Sequence, residues 1–425
     1  MKKKILIFLG AFLTVVILGS IILFYIGGRR LSGDAGQDGE SNIAAVPDQS
    51  TASDLQEENG QGTVSRDIVD ISVGGSEQAA GEDVGDTPEE EVLGPDTFRL
   101  ELSEDNTVTF TFAGDILFDP AYAVFATYRQ RGSRIEECIS EDLLTEMRAA
   151  DVMMVNNEFT YTNRGEPTPD KTYTFRAPTD TVSVLFDMGV DIVSIANNHT
   201  FDYGEISLLD TLDTLEQAGM PYVGAGRNLE EAIRPIYYLA GDMKIAVISA
   251  TQIERNDYPD TRGATEDSAG VFRCFQPDLL VETIERAKEE CDFVILYIHW
   301  GTESTDQLDW SQTYQAPLYV EAGADIIIGD HPHCLQEIGY IDGVPIIYSL
   351  GNFWFNSRTL DSCIVKLTLN EEGIESLQFV PCLQSGCSVS LLHGDERARV
   401  IAYMQGLSST AHIDEEGYVT DPAMP

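Results

Sequence analysis

The sequence predicts an α/β domain carried behind an apolar membrane anchor and a long acidic tether. Three observations predict it. From about Thr107 to Gln384, short β-prone runs alternate with amphipathic stretches. Ahead of them, the run from Ile5 to Ile26 carries no charge and is almost wholly apolar. Between the two, residues 31–106 carry one aromatic, Phe98, and two arginines, Arg66 and Arg99, among many carboxylates. No repeat of fixed period is present, which argues against a solenoid or propeller.

The apolar run follows Lys2, Lys3 and Lys4. At about 1.5 Å per residue it spans a hydrocarbon core of about 30 Å. It is longer than the apolar core of a cleaved signal, about 7–15 residues, and has neither a convincing cleavage site nor a lipobox cysteine, so it reads as a single-pass anchor. The three lysines place the N-terminus in the cytoplasm and the bulk outside, with Arg29 and Arg30 partly offsetting them. The acidic stretch buries too little apolar surface to offset its ordering entropy and reads as a disordered tether. The division is therefore 1–30 cytoplasmic tip and anchor, 31–106 tether, and 107–425 folded extracellular domain.

The formal net charge is -45, and the acidic excess continues beyond the tether. Nucleic acid and anionic lipid headgroups are therefore poor partners for the general surface, and no nucleic-acid partner is expected. An anionic substrate needs a local positive charge, which a bound cation can supply. Seven cysteines show no CxxC pair and no zinc-finger spacing, and are expected to be buried small hydrophobes.

Within the domain, Ile206, Leu209, Leu212 and Leu215 form one predicted helical stripe, and Leu280, Ile284 and Ala287 another. Ile364 to Leu369, the turn Asn370-Glu371-Glu372-Gly373, and Ile374 to Val380 predict an antiparallel hairpin. A last helix is expected around Asp395 to Leu407. Gly224-Ala225-Gly226 has the look of a phosphate cradle, but Asn228 and Glu231 stand at capping-box spacing and account for the turn.

The chemistry concentrates where apolar runs end. Val108, Phe110 and Phe112 precede Gly114-Asp115; Val152 to Val155 precede Asn157-Glu158; Ile192 to Ile195 precede Asn197-Asn198-His199. Phe293 to Ile298 precede His299-Trp300-Gly301, and Ile326 to Ile328 precede His331-Pro332-His333. In a buried sheet with helical crossovers such strand ends converge on a ligand. Asp115 and Glu158 are hard oxygen donors, His299, His331 and His333 borderline nitrogen donors, and Asn198 a neutral amide oxygen. That set suits one or two divalent ions of Mn, Fe, Zn or Mg. His199 is a candidate catalytic group: a charged or proton-donating imidazole that protonates a leaving group, its ring held by Asp202. Arg176 and Asn157 are the candidates for contacting an anionic substrate.

These residues also carry a resemblance. Ala113-Gly114-Asp115, Asn157-Glu158, the run Ala196 to Gly204, Ile298-His299-Trp300-Gly301, His331-Pro332-His333 and Ser349-Leu350-Gly351-Asn352-Phe353 resemble, in order, the poly-gamma-glutamate capsule-synthesis (CapA) family. Lys171 to Pro178 resembles the stretch between that family's second and third motifs. The family is a branch of the calcineurin-like metallophosphoesterases. The resemblance implies a sheet sandwich flanked by helices, with a dinuclear site at the strand ends. It implies that Asp115 and His333 hold one metal, that Asn198, His299 and His331 hold the other, and that Glu158 bridges them, with His199 as acid.

Two positions depart from the pattern. Leu117 stands where metallophosphoesterases generally have a histidine ligand. Asp330 precedes the His-Pro-His run, and either adds a carboxylate near the site or caps the turn. The resemblance also implies partners: the cell membrane, an anionic envelope polymer or its phosphorylated precursor, and capsule synthesis or export proteins. The expected activity is metal-dependent hydrolysis or transfer on that polymer or precursor. The alternative is a non-catalytic module of an export assembly that grips a polyanion through metal. An amidohydrolase barrel is rejected, because its HxH would lie on the first strand.

Overall fold

The computed structural model of the protein describes residues 94–253 and 261–423. The anchor expected at Ile5 to Ile26 and residues 31–93 of the expected tether lie outside the described residues. Among the described residues no helix is long and apolar enough to cross a membrane.

Two large sheets carry the domain. One has eight strands, seven of them in the order Ser388–Leu391, Gly373–Ser385, Leu360–Asn370, Val108–Ile116, Val152–Asn157, Ile192–Ser194 and Tyr222–Val223. The eighth, Asn352–Trp354, pairs with Val108–Ile116 in parallel. The other sheet has seven, in the order Thr97–Leu100, Ile236–Ala240, Met243–Thr251, Phe293–His299, Ile326–Asp330, Val344–Ile347 and Ile338–Ile341. Each sheet is mixed. The hairpin of Leu360–Asn370 and Gly373–Ser385 is antiparallel, as its sequence implied. The site-bearing neighbours run parallel in both sheets.

Strand alternation explains why the apolar runs are continuous. Val152 and Met154 join a core with Ile245, Val247, Ile295 and Tyr297 of the other sheet, while Met153 and Val155 pack with the helix residues Leu143, Leu144 and Leu208. On the second sheet, Val294, Leu296 and Ile298 face Leu280, Ile284, Ala316 and Tyr319 instead. Each strand is therefore buried on both faces, and successive side chains serve different cores. The result is a sandwich of two sheets with helices on both outer faces. Ser194 Oγ to Ser249 Oγ (2.8 Å) and Tyr297 Oη donating to the Ala113 carbonyl (3.1 Å) tie the two sheets together close to the strand ends.

Two expectations are corrected. The tether does not run to residue 106, because Thr97–Leu100 is a strand paired in parallel with Ile236–Ala240. Phe98, the stretch's lone aromatic, explains this: its ring lies 5.8 Å from that of Tyr238, at a sheet edge where four residues suffice to pair. The second correction concerns the helix Glu205–Ala218, whose buried residues include Leu208, Thr211, Leu212 and Leu215, with Ile206 and Leu209 only half-buried. Steps of three fall about 60° behind a full turn each time, so a stripe built from them alone drifts off the core face. Leu280, Ile284 and Ala287 are buried as expected, and the last helix spans Gly394–Leu407. The Asn228 side chain accepts from the Glu231 N–H (2.9 Å), the cap inferred from spacing. All seven cysteines are free; six are buried, and Cys334 is half-buried.

Candidate metal centre

Parallel pairing sets the ends of the strands side by side. Asp115 lies opposite Asn156, and Asn156 opposite Ser194, in one sheet; His299 lies opposite Asp330 in the other. Past these ends the chain turns, and the turns carry Glu158, Asn198, His199, His331 and His333. His331 (φ 96°) and His333 (φ 57°) both sit in the left-handed region. For non-glycine residues this costs on the order of 1–3 kcal/mol each, strain that the surrounding packing has to hold.

The predicted donors meet. His299 Nε2 lies 2.8 Å from Asn198 Oδ1, 3.0 Å from His331 Nδ1 and 3.7 Å from Glu158 Oε1. His333 Nδ1 lies 3.1 Å from Asp115 Oδ2, and its Nε2 lies 4.0 Å from Glu158 Oε1. Among the described residues three overlapping groups result, Glu158 with His299 and His331, Asp115 with Glu158 and His333, and Asp115 with His299 and Asp330, each having its donor atoms within 4.8 Å of one another. Glu158 belongs to the first two.

Glu158 tests whether this set fits a cation. It is fully buried, and neither carboxylate oxygen has a hydrogen-bond partner. A buried carboxylate left without partners costs several kcal/mol, and proteins rarely carry one without a compensating charge. Burial, reinforced by the charges of Asp115 and Asp330, pushes its pKa well above the usual carboxylate range. Divalent cations on either side would supply the missing partners, so the residues fit the group.

The remaining electrostatics follow from the same crowding. Burial works against charge on Asp115, yet the hydrogen bond and charge of His333 outweigh it and hold Asp115 below its ordinary value. Burial drives His299 down to about 3 and takes His331 well below its ordinary value. Both rings therefore stay neutral, the form that donates to a metal.

His199 and Asp202 form the expected pair, with Nδ1 of the ring 2.7 Å from Asp202 Oδ2. The Phe175 ring stacks on His199 at 4.3 Å between centroids, and the Phe175 N–H donates to the same carboxylate oxygen (2.6 Å). Burial lowers the His199 pKa to about 4 against the pull of Asp202, which favours the neutral imidazole. With Nδ1–H donated to Asp202, its free Nε2 lies 3.8 Å from Glu158 Oε1 and accepts a proton before it can give one.

The two expected substrate contacts fare differently. The Arg176 guanidinium lies over the Tyr203 ring, 4.4 Å from its centroid, on the loop that carries His199. Asn157 is buried; its side-chain amide donates to the Phe159 carbonyl (2.8 Å), its backbone carbonyl accepts from Asn197 (3.0 Å), and its side-chain oxygen has no hydrogen-bond partner. Leu117 is buried in the apolar core beside the helices and offers nothing to the centre.

Lys171 is the functional residue that sequence reasoning undervalued. Its Nζ donates to Asp202 Oδ1 (2.6 Å) and to the Asn198 carbonyl (2.5 Å), bracing both neighbours of His199. Lys171→Met strands a fully buried carboxylate, so a loss of about 3–5 kcal/mol in urea denaturation is expected. Lys171→Arg should recover part of it; an unchanged midpoint in the methionine variant refutes the bracing role. Asn156, Asn197 and Asn352 were also missed. Asn156 donates to Asp115 Oδ1 (2.8 Å), and Asn352 Oδ1 lies 2.9 Å from His333 Nδ1. Asn197 and Asn352 lie within motifs read from the sequence and Asn156 adjoins one, which was the available signal.

Fold and donors together define an α/β sandwich with a buried, metal-type centre at its strand ends. The chain belongs to the family described as bacterial capsule synthesis protein PGA_cap, which residues 109–357 match. The PGA biosynthesis protein CapA of Bacillus subtilis (strain 168) is 31% identical over 292 residues, 67% of this chain and 74% of that protein. The capsule biosynthesis protein CapA of Bacillus anthracis is 33% identical over 240 residues, 54% of this chain and 57% of the relative. Among solved structures, a putative 5'-nucleotidase from Staphylococcus aureus in complex with alpha-ketoglutarate overlaps loosely. Its TM-score is 0.36 at 14% identity, covering 71% of this chain and 58% of the other.

Proposed function

We propose that this protein is a membrane-anchored, extracellular, metal-dependent hydrolase or transferase of capsule synthesis, acting on an anionic envelope polymer or its phosphorylated precursor. One observation carries the reading: the buried Glu158 carboxylate, without hydrogen-bond partners, stands between two sets of metal-type donors. Membership of the capsule synthesis family and the names of the two CapA relatives supply the substrate class. The uncharged run from Ile5 to Ile26 supports the anchor.

Asp115, Glu158 and His333 would hold one divalent ion, and Glu158, Asn198, His299 and His331 the other. Bound there, such ions supply positive charge and Lewis acidity toward an anionic oxygen. Asp202 and Lys171 hold the His199 ring, and its Nε2 takes a proton from the attacking water or amine and passes it to the leaving group. Arg176 is the candidate contact for a further anionic group. The second reading, a non-catalytic polyanion grip, is favoured by Leu117, which leaves the Asp115 side one ligand short.

The test assays the full-length protein in detergent on phosphomonoesters, phosphodiesters and γ-glutamyl peptides, beside His199→Ala. The hydrolase reading expects turnover in the parent, lost by about 100-fold or more in the variant with metal content retained. Equal binding of polyglutamate by both, with no turnover on any substrate, moves the assignment to the grip.

A further inference from the structure

We propose that Asp330 is a positioning residue for metal binding: it fixes the His299 ring so that Nε2 is the nitrogen presented to the cation. The inference rests on the metal reading above and extends it to Asp330, which groups with Asp115 and His299 but is not in the ligand set proposed there.

The two nitrogens of His299 face different surroundings. Nε2 points among Asn198 Oδ1, His331 Nδ1 and Glu158 Oε1, the oxygens and nitrogens of one metal-type group. Nδ1 lies 2.8 Å from Asp330 Oδ1 on the opposite side of the ring. Its other close neighbour is Asn156 Nδ2, at 3.3 Å. That amide is oriented by Asn197, whose Nδ2 donates to Asn156 Oδ1 (3.0 Å), and its N–H donates to Asp115 Oδ1 (2.8 Å). It cannot accept from the ring. Asp330 is then the acceptor for Nδ1–H, and the lone pair falls on Nε2.

The backbone holds this pair in place. His299 and Asp330 are directly opposite in adjacent parallel strands, and the Trp300 N–H donates to the Asp330 carbonyl (3.1 Å). Asp330 is fully buried, and its Oδ2 has no hydrogen-bond partner. The side chain does not cap the turn, since its one bonded oxygen is spent on the ring. A carboxylate on the far nitrogen of a ligating histidine fixes the tautomer and raises donor basicity, and losing such a partner typically weakens metal binding 10–100-fold.

The test strips full-length protein in detergent with a chelator and titrates it with Zn²⁺ against a chromophoric competitor. Parent, His299→Ala, Asp330→Ala and Asp330→Asn are compared. The expected result is affinity lost about 10–100-fold in Asp330→Ala, with Asp330→Asn, which keeps an acceptor oxygen without the charge, in between. ¹⁵N spectra of labelled histidine should place the proton of the zinc-loaded parent on His299 Nδ1, and show mixed tautomers in Asp330→Ala. Should Asp330→Ala fail to fold, the isosteric Asp330→Asn carries the comparison. Parent-like affinity and tautomer in both Asp330 variants overturn the positioning role while His299→Ala still loses zinc. A parent that takes up no zinc overturns the metal reading and this inference together.

Discussion

Replacing Glu158 by glutamine is expected to abolish uptake of divalent metal while leaving the metal-free protein more stable than the parent. The two effects have one cause. Glu158 belongs to two of the donor groups, and its two buried oxygens have no protein partner. With cations present it is the shared ligand, and its loss should exceed the roughly 100-fold that a supporting residue costs. Without cations it is a buried carboxyl with no hydrogen-bond partner, its charged form opposed by burial and by Asp115 and Asp330, and a neutral amide of the same shape removes a penalty on the order of 1–3 kcal/mol. Melting in chelator and in excess Mn²⁺ separates the two. The parent should gain on the order of 5 °C when metal is 1,000-fold above its dissociation constant, and the variant none. A Glu158→Gln protein that keeps parental metal content, or melts below the parent in chelator, sinks the assignment of Glu158 as the shared ligand.

Gly114→Ala should be the most disruptive single-methyl change near the centre. A Cβ there would fall 1.9 Å from the Gly351 carbonyl oxygen and 3.2 Å from Leu350 Cβ. The Asp115 N–H donates to that same carbonyl (3.2 Å), and Asn352–Trp354 pairs with the strand immediately beyond. The turn cannot retreat, because Gly351 is itself close to the Cys334 backbone, with its own added Cβ 2.9 Å away and its φ at +66°. The methyl therefore parts the Val108–Ile116 strand from the turn carrying Asn352 and swings Asp115 out of register with His333. A loss of about 3 kcal/mol or more is expected, the upper range for overpacking, together with lost metal uptake. Gly219→Ala is the control: its φ is positive (+71°), but nothing lies within 4 Å of its added Cβ, and it should lose only about 1 kcal/mol. Equal urea midpoints for the two variants would show that the close approach does not constrain the centre.

Much of the centre could be read ahead of the structure because its donors sit where apolar runs stop. A run such as Phe293 to Ile298 can only be a strand buried on both faces, and the first polar residue after it must stand at a sheet end. Asp115 and His299 are of this kind, and Glu158, Asn198, His331 and His333 follow within five residues of the ends of their runs. Lys171 is not of this kind. It lies in a loop with no periodicity, and its role depends on a contact with Asp202, 31 residues away in the chain. Asn157 and Asn156 show the same limit from the other side, since alternation along the strand cannot tell which of two adjacent amides faces the carboxylates. The strand Thr97–Leu100 was hidden because its pairing partner, Ile236–Ala240, supplies most of the apolar surface.

The sequence by itself determined the α/β class, the hairpin, the last helix and which residues are candidate donors, because burial period and strand ends are local properties. Only the tertiary structure decided that Glu158 belongs to two of the donor groups, that His199 is buried against Asp202, and that Asp330 turns toward His299 rather than the turn. Those outcomes depend on distances between strands of different sheets and on burial. Both are set by how the two sheets pack, which no stretch of sequence specifies alone.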